Sequence, residues 1–325
     1  MREHLRKAIR AETGIARGIP ITGAVLCWVA AVLFVKYFSS LMDVHTQNFF
    51  RYLGASLFLS ILLKKFYPGS FRRYRERLPL FLLLGGMVAG FQICWVNALY
   101  RLGPAFFSLL GKLSTILITL TAFLFYREER VIVRTPRFIL GFAMGLAGVA
   151  GVVAGIPGFK LGLGTDQKTG IVLVVFSSMI WALYINLVKR VLRQENSLQA
   201  FTFTCISATC YFLPVMLAWG SPATLLGGSF TLMAVVILSG VIGIAGANSS
   251  YYLSIKRIGM ARSANLILSE PFLVALVSYP VFGERLSPAQ WIFGIILLSG
   301  CALIISVQTK DSWTAEELRG SPPSK

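Results

Sequence analysis

The 325-residue chain is 56% apolar and 14% charged, with 31 Lys and Arg against 13 Asp and Glu and a net charge of +18. Soluble domains carry about 25% charged residues, so this composition leaves too little polar surface to cover two water-soluble globules. A soluble chain this basic would suggest nucleic-acid binding, whereas a mean hydropathy of +0.72 points to a membrane, and the positions of the basic residues decide between the two.

Stretches of about 20 apolar residues, enough to cross a hydrocarbon core of about 30 Å, recur along the whole chain. In order they are 19–38, 49–63 (short, extending toward Gln47), 79–100, 104–125, 136–155, 170–189, 198–219, 230–255, 260–282 and 288–307, ten in all. Each must be helical in lipid, because only hydrogen bonds within the segment satisfy its backbone there. The first follows a basic stretch (Arg2, Arg6, Lys7, Arg10, Arg17), yet it matches the others in length and precedes Lys36 without a small-residue cleavage site. It therefore reads as a retained helix rather than a signal peptide.

The segments on one side of these spans hold 24 Lys and Arg; the other side holds six (Lys36, Arg51, Arg101, Lys160, Lys168 and Arg285), and Lys112 falls inside a span. By the positive-inside rule both termini are cytoplasmic, in a multi-pass protein of the cell's inner (plasma) membrane. The bias uses up the basic residues that a nucleic-acid face would need, so no nucleic-acid partner is expected. The five cysteines lie in apolar stretches without a C-x-x-C pair, and His4 and His45 are the only histidines. No disulfide framework, metal site or cofactor is expected.

The chain repeats itself. A shift of 156 places superposes Ala89-Gly90 on Ala245-Gly246, Arg101-Leu102-Gly103 on Arg257-Ile258-Gly259, and Glu128 on Glu284, with nine identities over residues 89–128. A shift of 153 places Trp28 on Trp181 and Lys36 on Lys189. The expected fold is all-α: ten transmembrane helices built as two five-helix repeats, 1–155 and 170–307, joined by a linker at 156–169 and followed by a cytoplasmic tail at 308–325. Because five is odd, the repeats have inverted topology, as in many secondary transporters whose site lies between the halves.

Arg257-Ile258-Gly259-Met260-Ala261-Arg262-Ser263-Ala264, with Leu268-Ser269-Glu270-Pro271-Phe272 and Phe282-Gly283-Glu284-Arg285-Leu286-Ser287-Pro288, resembles the second-repeat signature of the EamA-type drug/metabolite transporters. Arg101-Leu102-Gly103-Pro104-Ala105 and Arg127-Glu128-Glu129-Arg130 resemble its first-repeat counterpart. The resemblance covers almost the whole chain. It implies a ten-helix inner-membrane carrier, with a central cavity lined mainly by helices 1, 3, 4, 6, 8 and 9. In helix 4, Lys112-Leu113-Ser114-Thr115 stands where that pattern often has apolar residues and a proline.

Two charges lie within spans, Lys112 and Glu270. Each costs about 2.5–3.5 kcal/mol at a helix centre, so it faces the bundle interior and commonly has a partner. Lys112 is about 12 Å from one end of helix 4 and Glu270 about 13.5 Å from the opposite end of helix 9, a difference in depth that a lysine side chain bridges. The expectation is an ion pair between them, acting either as a lock between the halves or as a contact for a charged or zwitterionic solute. Pro271 would give helix 9 a hinge.

Ser108, Lys112 and Thr115 share a face of helix 4. Gln92 and Asn248 are repeat equivalents, as are Trp95 and Tyr251 and again Trp28 and Trp181, with Tyr184 one turn from Trp181. Aromatic walls with a few polar groups suit an amphipathic metabolite; packing and interhelical hydrogen bonding are the alternative for each.

These features favour a secondary transporter moving an amino acid, related metabolite or drug by alternating access, with export the direction suggested by resemblance. No G-x-x-x-x-G-K-[ST] occurs, so ATP is not the driver within this chain. A membrane-embedded enzyme would need an acid/base or metal cluster that the sequence lacks, so no enzymatic activity is expected, and a non-transporting scaffold would have no cavity. The expected partners are a small-molecule solute and membrane lipid; a homodimer stays open.

Overall fold

The computed structural model describes residues 2–125, 135–155, 164–192, 194–258, 263 and 266–307. The Arg127-Glu128-Glu129-Arg130 stretch, residues 156–163 of the linker, residues 259–262 and the tail lie outside the described residues.

Among the described residues the chain forms α1 (Arg2–Phe38), α2 (Val44–Phe66), a short α3 (Phe71–Glu76), α4 (Leu78–Arg101), α5 (Pro104–Leu110), α6 (Leu113–Phe125), α7 (Pro136–Ala154), α8 (Thr165–Val191), α9 (Ser197–Trp219) and a short α10 (Ala223–Leu226). There follow α11 (Phe230–Gly240), a π-helical segment (Val241–Gly246), α12 (Ala247–Ile258), α13 (Glu270–Phe282) and α14 (Pro288–Val307). The architecture is that of an all-α membrane protein. Among the described residues six stretches are long and apolar enough to span a bilayer unaided: Ile19–Phe38, Leu78–Arg101, Pro136–Ala154, Thr165–Val191, Ser197–Trp219 and Phe230–Ile255. Large apolar side chains such as Leu26, Ile61, Leu217, Leu276 and Ile292 face outward, where lipid rather than water meets them.

Helix pairing follows the repeat. α1 packs on α12 and α4 on α8, while α2 packs on α9, α5 on α13 and α7 on α14. Exchanging the halves converts the first two pairs into each other and each of the remaining three into itself, which defines a pseudo-twofold. The α7–α14 contact is close because glycines line it: a Cβ on Gly148 would stand 2.6 Å from the backbone nitrogen of Leu297, and one on Gly141 2.8 Å from the Gly300 carbonyl. Close backbone approach of this kind holds membrane helices together. Gly148→Val is expected to cost about 1–3 kcal/mol by overpacking, seen as a lower melting temperature in detergent; an unchanged melt would contradict this packing.

The second expected span starts earlier than its hydropathy suggests. Asp43 caps α2, accepting hydrogen bonds from the backbone N–H of His45 and Thr46, each at 2.9 Å. Its other oxygen accepts the Ser221 N–H at 2.9 Å, tying this end of α2 to the loop after α9. Burial alone would raise the Asp43 carboxyl, but the bonds from Thr46, Ser221 and His45 outweigh it and hold the group below its usual range. A carboxyl lowered on folding stabilises above its unfolded value near 3.9, and that stability fades as pH falls through the folded value. Asp43→Ala is expected to cost about 1 kcal/mol at neutral pH and to flatten the acid limb of stability as pH falls through and below the unfolded value near 3.9, measured by thermal melts. An acid limb identical to wild type would sink the assignment.

With α2 running from Val44, Arg51 lies inside a helix and is fully buried, so it does not belong to the side tally in which the sequence reading placed it. Two further spans differ from uninterrupted helices. The fourth is split at Gly111-Lys112, and α13 starts at Glu270 after a turn at Leu268-Ser269. Pro271 therefore begins a helix, where its missing N–H costs nothing, instead of hinging the middle of one.

Candidate functional site

Both embedded charges sit where their helices break. After α5, the Lys112 N–H bonds to the Leu109 carbonyl at 3.1 Å, Ser114 N–H to Gly111 at 3.1 Å and Thr115 N–H to Lys112 at 2.9 Å, a tight turn between α5 and α6. Across the pseudo-twofold, Ser269 N–H bonds to the Leu266 carbonyl at 3.2 Å just before α13. The two breaks are repeat equivalents to within one residue. They place the Lys112 ammonium beyond the carbonyl end of α5 and the Glu270 carboxylate at the amide end of α13, the polarity each charge prefers.

The two side chains meet: Lys112 Nζ donates to Glu270 Oε2 at 2.6 Å, with 9% and 12% of the side chains exposed. That residual exposure is to a cavity of about 170 Å³ lying between the halves, measured as room for the centre of a water molecule. At roughly 10–15 Å³ per water on that measure, the space holds on the order of ten waters or one small organic solute.

Each residue singled out in the sequence lines this cavity. From the first half come Trp28 on α1, Gln92 and Trp95 on α4, Ser108 on α5, Lys112 in the break and Thr115 on α6. From the second come Trp181 and Tyr184 on α8, Asn248 and Tyr251 on α12, and Glu270. Trp28 packs on Tyr251 with ring centroids 5.1 Å apart, joining α1 to α12. The twin contact across the pseudo-twofold joins α8 to α4, but Trp181 meets Phe91 (4.8 Å), one turn before Trp95, which packs edge-on against Phe107 (5.0 Å).

The polar groups are not equally available. Asn248 Nδ2 donates to the Ile244 carbonyl at 3.0 Å in the π-helical segment, and the Tyr184 hydroxyl bonds that of Tyr252. Gln92 lines the cavity with no hydrogen bond to the protein among the described residues, and Ser108 Oγ is buried without a partner. The amide pair inferred from the repeat is thus unequal: Asn248 is engaged by its own helix, while Gln92 is open to a ligand.

The second and seventh spans (α2 and α9) also contribute, through Arg51, Tyr52 and Phe201, beyond the six helices that the resemblance implied. Sequence reading missed Arg51 as a wall residue. The signal was present in Gln47, Arg51, Gly54 and Ala55, polar and small residues at helical spacing downstream of a capping aspartate.

The EamA-like transporter family model matches residues 19–154 and 168–306, one match in each half. A Haemophilus influenzae protein named an uncharacterized transporter is 23% identical over 285 residues, covering 85% of this chain and 93% of its own length. A protein of known crystal structure, 18% identical, superposes with a TM-score of 0.61 over 91% of this chain and 99% of its own, a likeness of fold.

Proposed function

We propose that this chain, which belongs to the EamA-like transporter family, is a secondary transporter that carries a small polar or amphipathic organic solute across the cytoplasmic membrane by alternating access. The observation that carries this reading is the cavity between the halves, walled by aromatic rings and holding the Lys112–Glu270 pair at two broken helices. Helix ends that point at a site between inverted repeats are the usual way a membrane carrier presents fixed partial charges to a polar cargo. Amino acids, related metabolites and amphiphilic drugs fit such walls, and export is the favoured direction. In this reading both termini are cytoplasmic and the Asp43 end of the bundle is outside, which the charge bias supports.

The test is a panel of amino acids, nucleosides and cationic drugs applied to cells that overproduce the protein and to a matched strain lacking it. Overproduction is expected to raise tolerance to, and efflux of, at least one solute class several-fold. No solute-dependent difference across the panel would refute the transport assignment.

A further inference from the structure

The cavity contains one cation that the ion pair does not account for. Of its charged lining residues among those described, Lys112 and Glu270 neutralise each other, which leaves Arg51. Only its Nε is engaged, donating to Ser239 Oγ at 3.1 Å. The side chain is 1% exposed and Nη1 is buried without any hydrogen-bond partner. No carboxylate pairs with it among the described residues. A guanidinium keeps its charge at neutral pH, so an incomplete donor set on a buried cation marks a place for an acceptor to be supplied from outside the protein.

The surrounding backbone is shaped to hold it. The π-helical segment Val241–Gly246 lies against Arg51, and a Cβ on Gly240 would stand 2.1 Å from the Arg51 carbonyl oxygen, one on Gly243 3.3 Å from Nη2. Widened turns of this kind are frequent at functional sites. The fold itself does not ask for a cation here. The capping residues Asp43 and Asn196 set α2 and α9 in register at a shift of 153, so the position equivalent to Arg51 is Thr204, whose hydroxyl donates to the Ala200 carbonyl at 2.9 Å. One half fills the position with a satisfied threonine; the other carries an arginine whose Nη1 is left over. Arg51 also lies about 10 Å along α2 from its start, and Lys112 about 12 Å from the same end of the bundle, so the free cation is level with the ion pair.

We propose that Arg51 is the anchor for a carboxylate of the transported solute. The planar guanidinium offers two parallel donors to two carboxylate oxygens, the single uncompensated positive charge selects an anionic group over a neutral one, and the aromatic walls take the rest of the solute. This rests on reading the cavity as the transport site and narrows the cargo to solutes bearing a carboxylate, amino acids among them.

Three probes of one shape separate the possibilities: phenylacetate, its neutral amide phenylacetamide, and 2-phenylethylamine. Binding to the full-length protein in nanodiscs is read from the fluorescence of the cavity tryptophans Trp28, Trp95 and Trp181. The wild type is expected to bind phenylacetate at least tenfold more tightly than phenylacetamide, with 2-phenylethylamine weakest. Arg51→Gln is expected to remove that preference while holding phenylacetamide within twofold, which also reports that the cavity survives the substitution. Arg51→Lys, keeping the charge and losing the fork, should fall between. A wild type that favours the amide or the amine, or a phenylacetate preference that persists in Arg51→Gln, overturns the anchor and leaves the transport reading standing. Failure of all three probes to bind overturns the anchor too, while the transport reading is decided by the efflux panel.

Discussion

Lys112→Met is expected to destabilise the protein by about 3–5 kcal/mol and to abolish transport, because it strands the Glu270 carboxylate in a wall that offers no other cation at hydrogen-bonding distance. The double variant Lys112→Met/Glu270→Leu removes both charges and fills the space with apolar atoms, and replacing a whole buried pair in this way is often neutral for stability. The double variant is therefore expected to melt close to wild type, so its transport reports on the pair's role without a folding defect. If the ammonium and carboxylate contact the solute, transport stays down more than tenfold in a protein that folds. A double variant with wild-type transport would show that the pair only locks the halves. Glu270 is also the one acid lining the cavity among the described residues.

The ion pair was legible in the sequence for a simple reason. Charges inside apolar spans are conspicuous, and helix rise converts residue counts into depth, so Lys112 and Glu270 could be set side by side before any coordinates. The aromatic and amide walls were legible through the repeat, since Trp28 with Trp181 and Gln92 with Asn248 mark equivalent faces. The helix breaks were not. Gly111 and Leu268-Ser269 carry no proline immediately ahead of the turn, and an apolar run has the same hydropathy whether its backbone is continuous or interrupted. The π-helical segment is hidden for the same reason, because Val241–Gly246 reads as ordinary membrane helix. Arg51 was misplaced by the reverse error: Thr46, Gln47 and Asn48 lower the hydropathy so far that the span starts only two residues before Arg51, which was counted with the flanking segment, although all four residues are buried in α2. Polar residues that face a cavity or a neighbouring helix are invisible to a scale that measures affinity for lipid.

Glu284, which the sequence showed as the repeat partner of Glu128 and as part of the second-repeat signature, has a definite task in the structure. Its Oε2 accepts the Ala105 N–H at 2.7 Å and the Ser278 hydroxyl at 2.6 Å, and its Oε1 accepts the Phe106 N–H at 3.1 Å. On the other side of the same turn, Lys36 Nζ donates to the carbonyls of Leu102 at 3.0 Å and of Leu99 and Tyr100 at 3.4 Å. The last carbonyls of α4 and the first amides of α5, which no helix can satisfy internally, are thus bound by a cation from the first half and an anion from the second. A Cβ at Gly103 would stand 2.1 Å from Glu284 Oε1, so a larger residue there would push the carboxylate off the two amides. Glu284→Ala is expected to cost about 1.5–3 kcal/mol, the range for hydrogen bonds to a charged group, and to speed hydrogen exchange at Ala105 and Phe106 by about ten- to a hundredfold. Glu284→Gln, which keeps one acceptor oxygen, should give a smaller increase. Unchanged exchange at these two amides in Glu284→Ala would show that the carboxylate does not hold them. In a carrier working by alternating access, the halves must part at the Asp43 end each cycle, and this contact between α5 and the loop after α13 has to break for them to do so. Loosening it is then expected to favour the state open at that end, and Glu284→Ala should change the transport rate even though the residue lies outside the cavity.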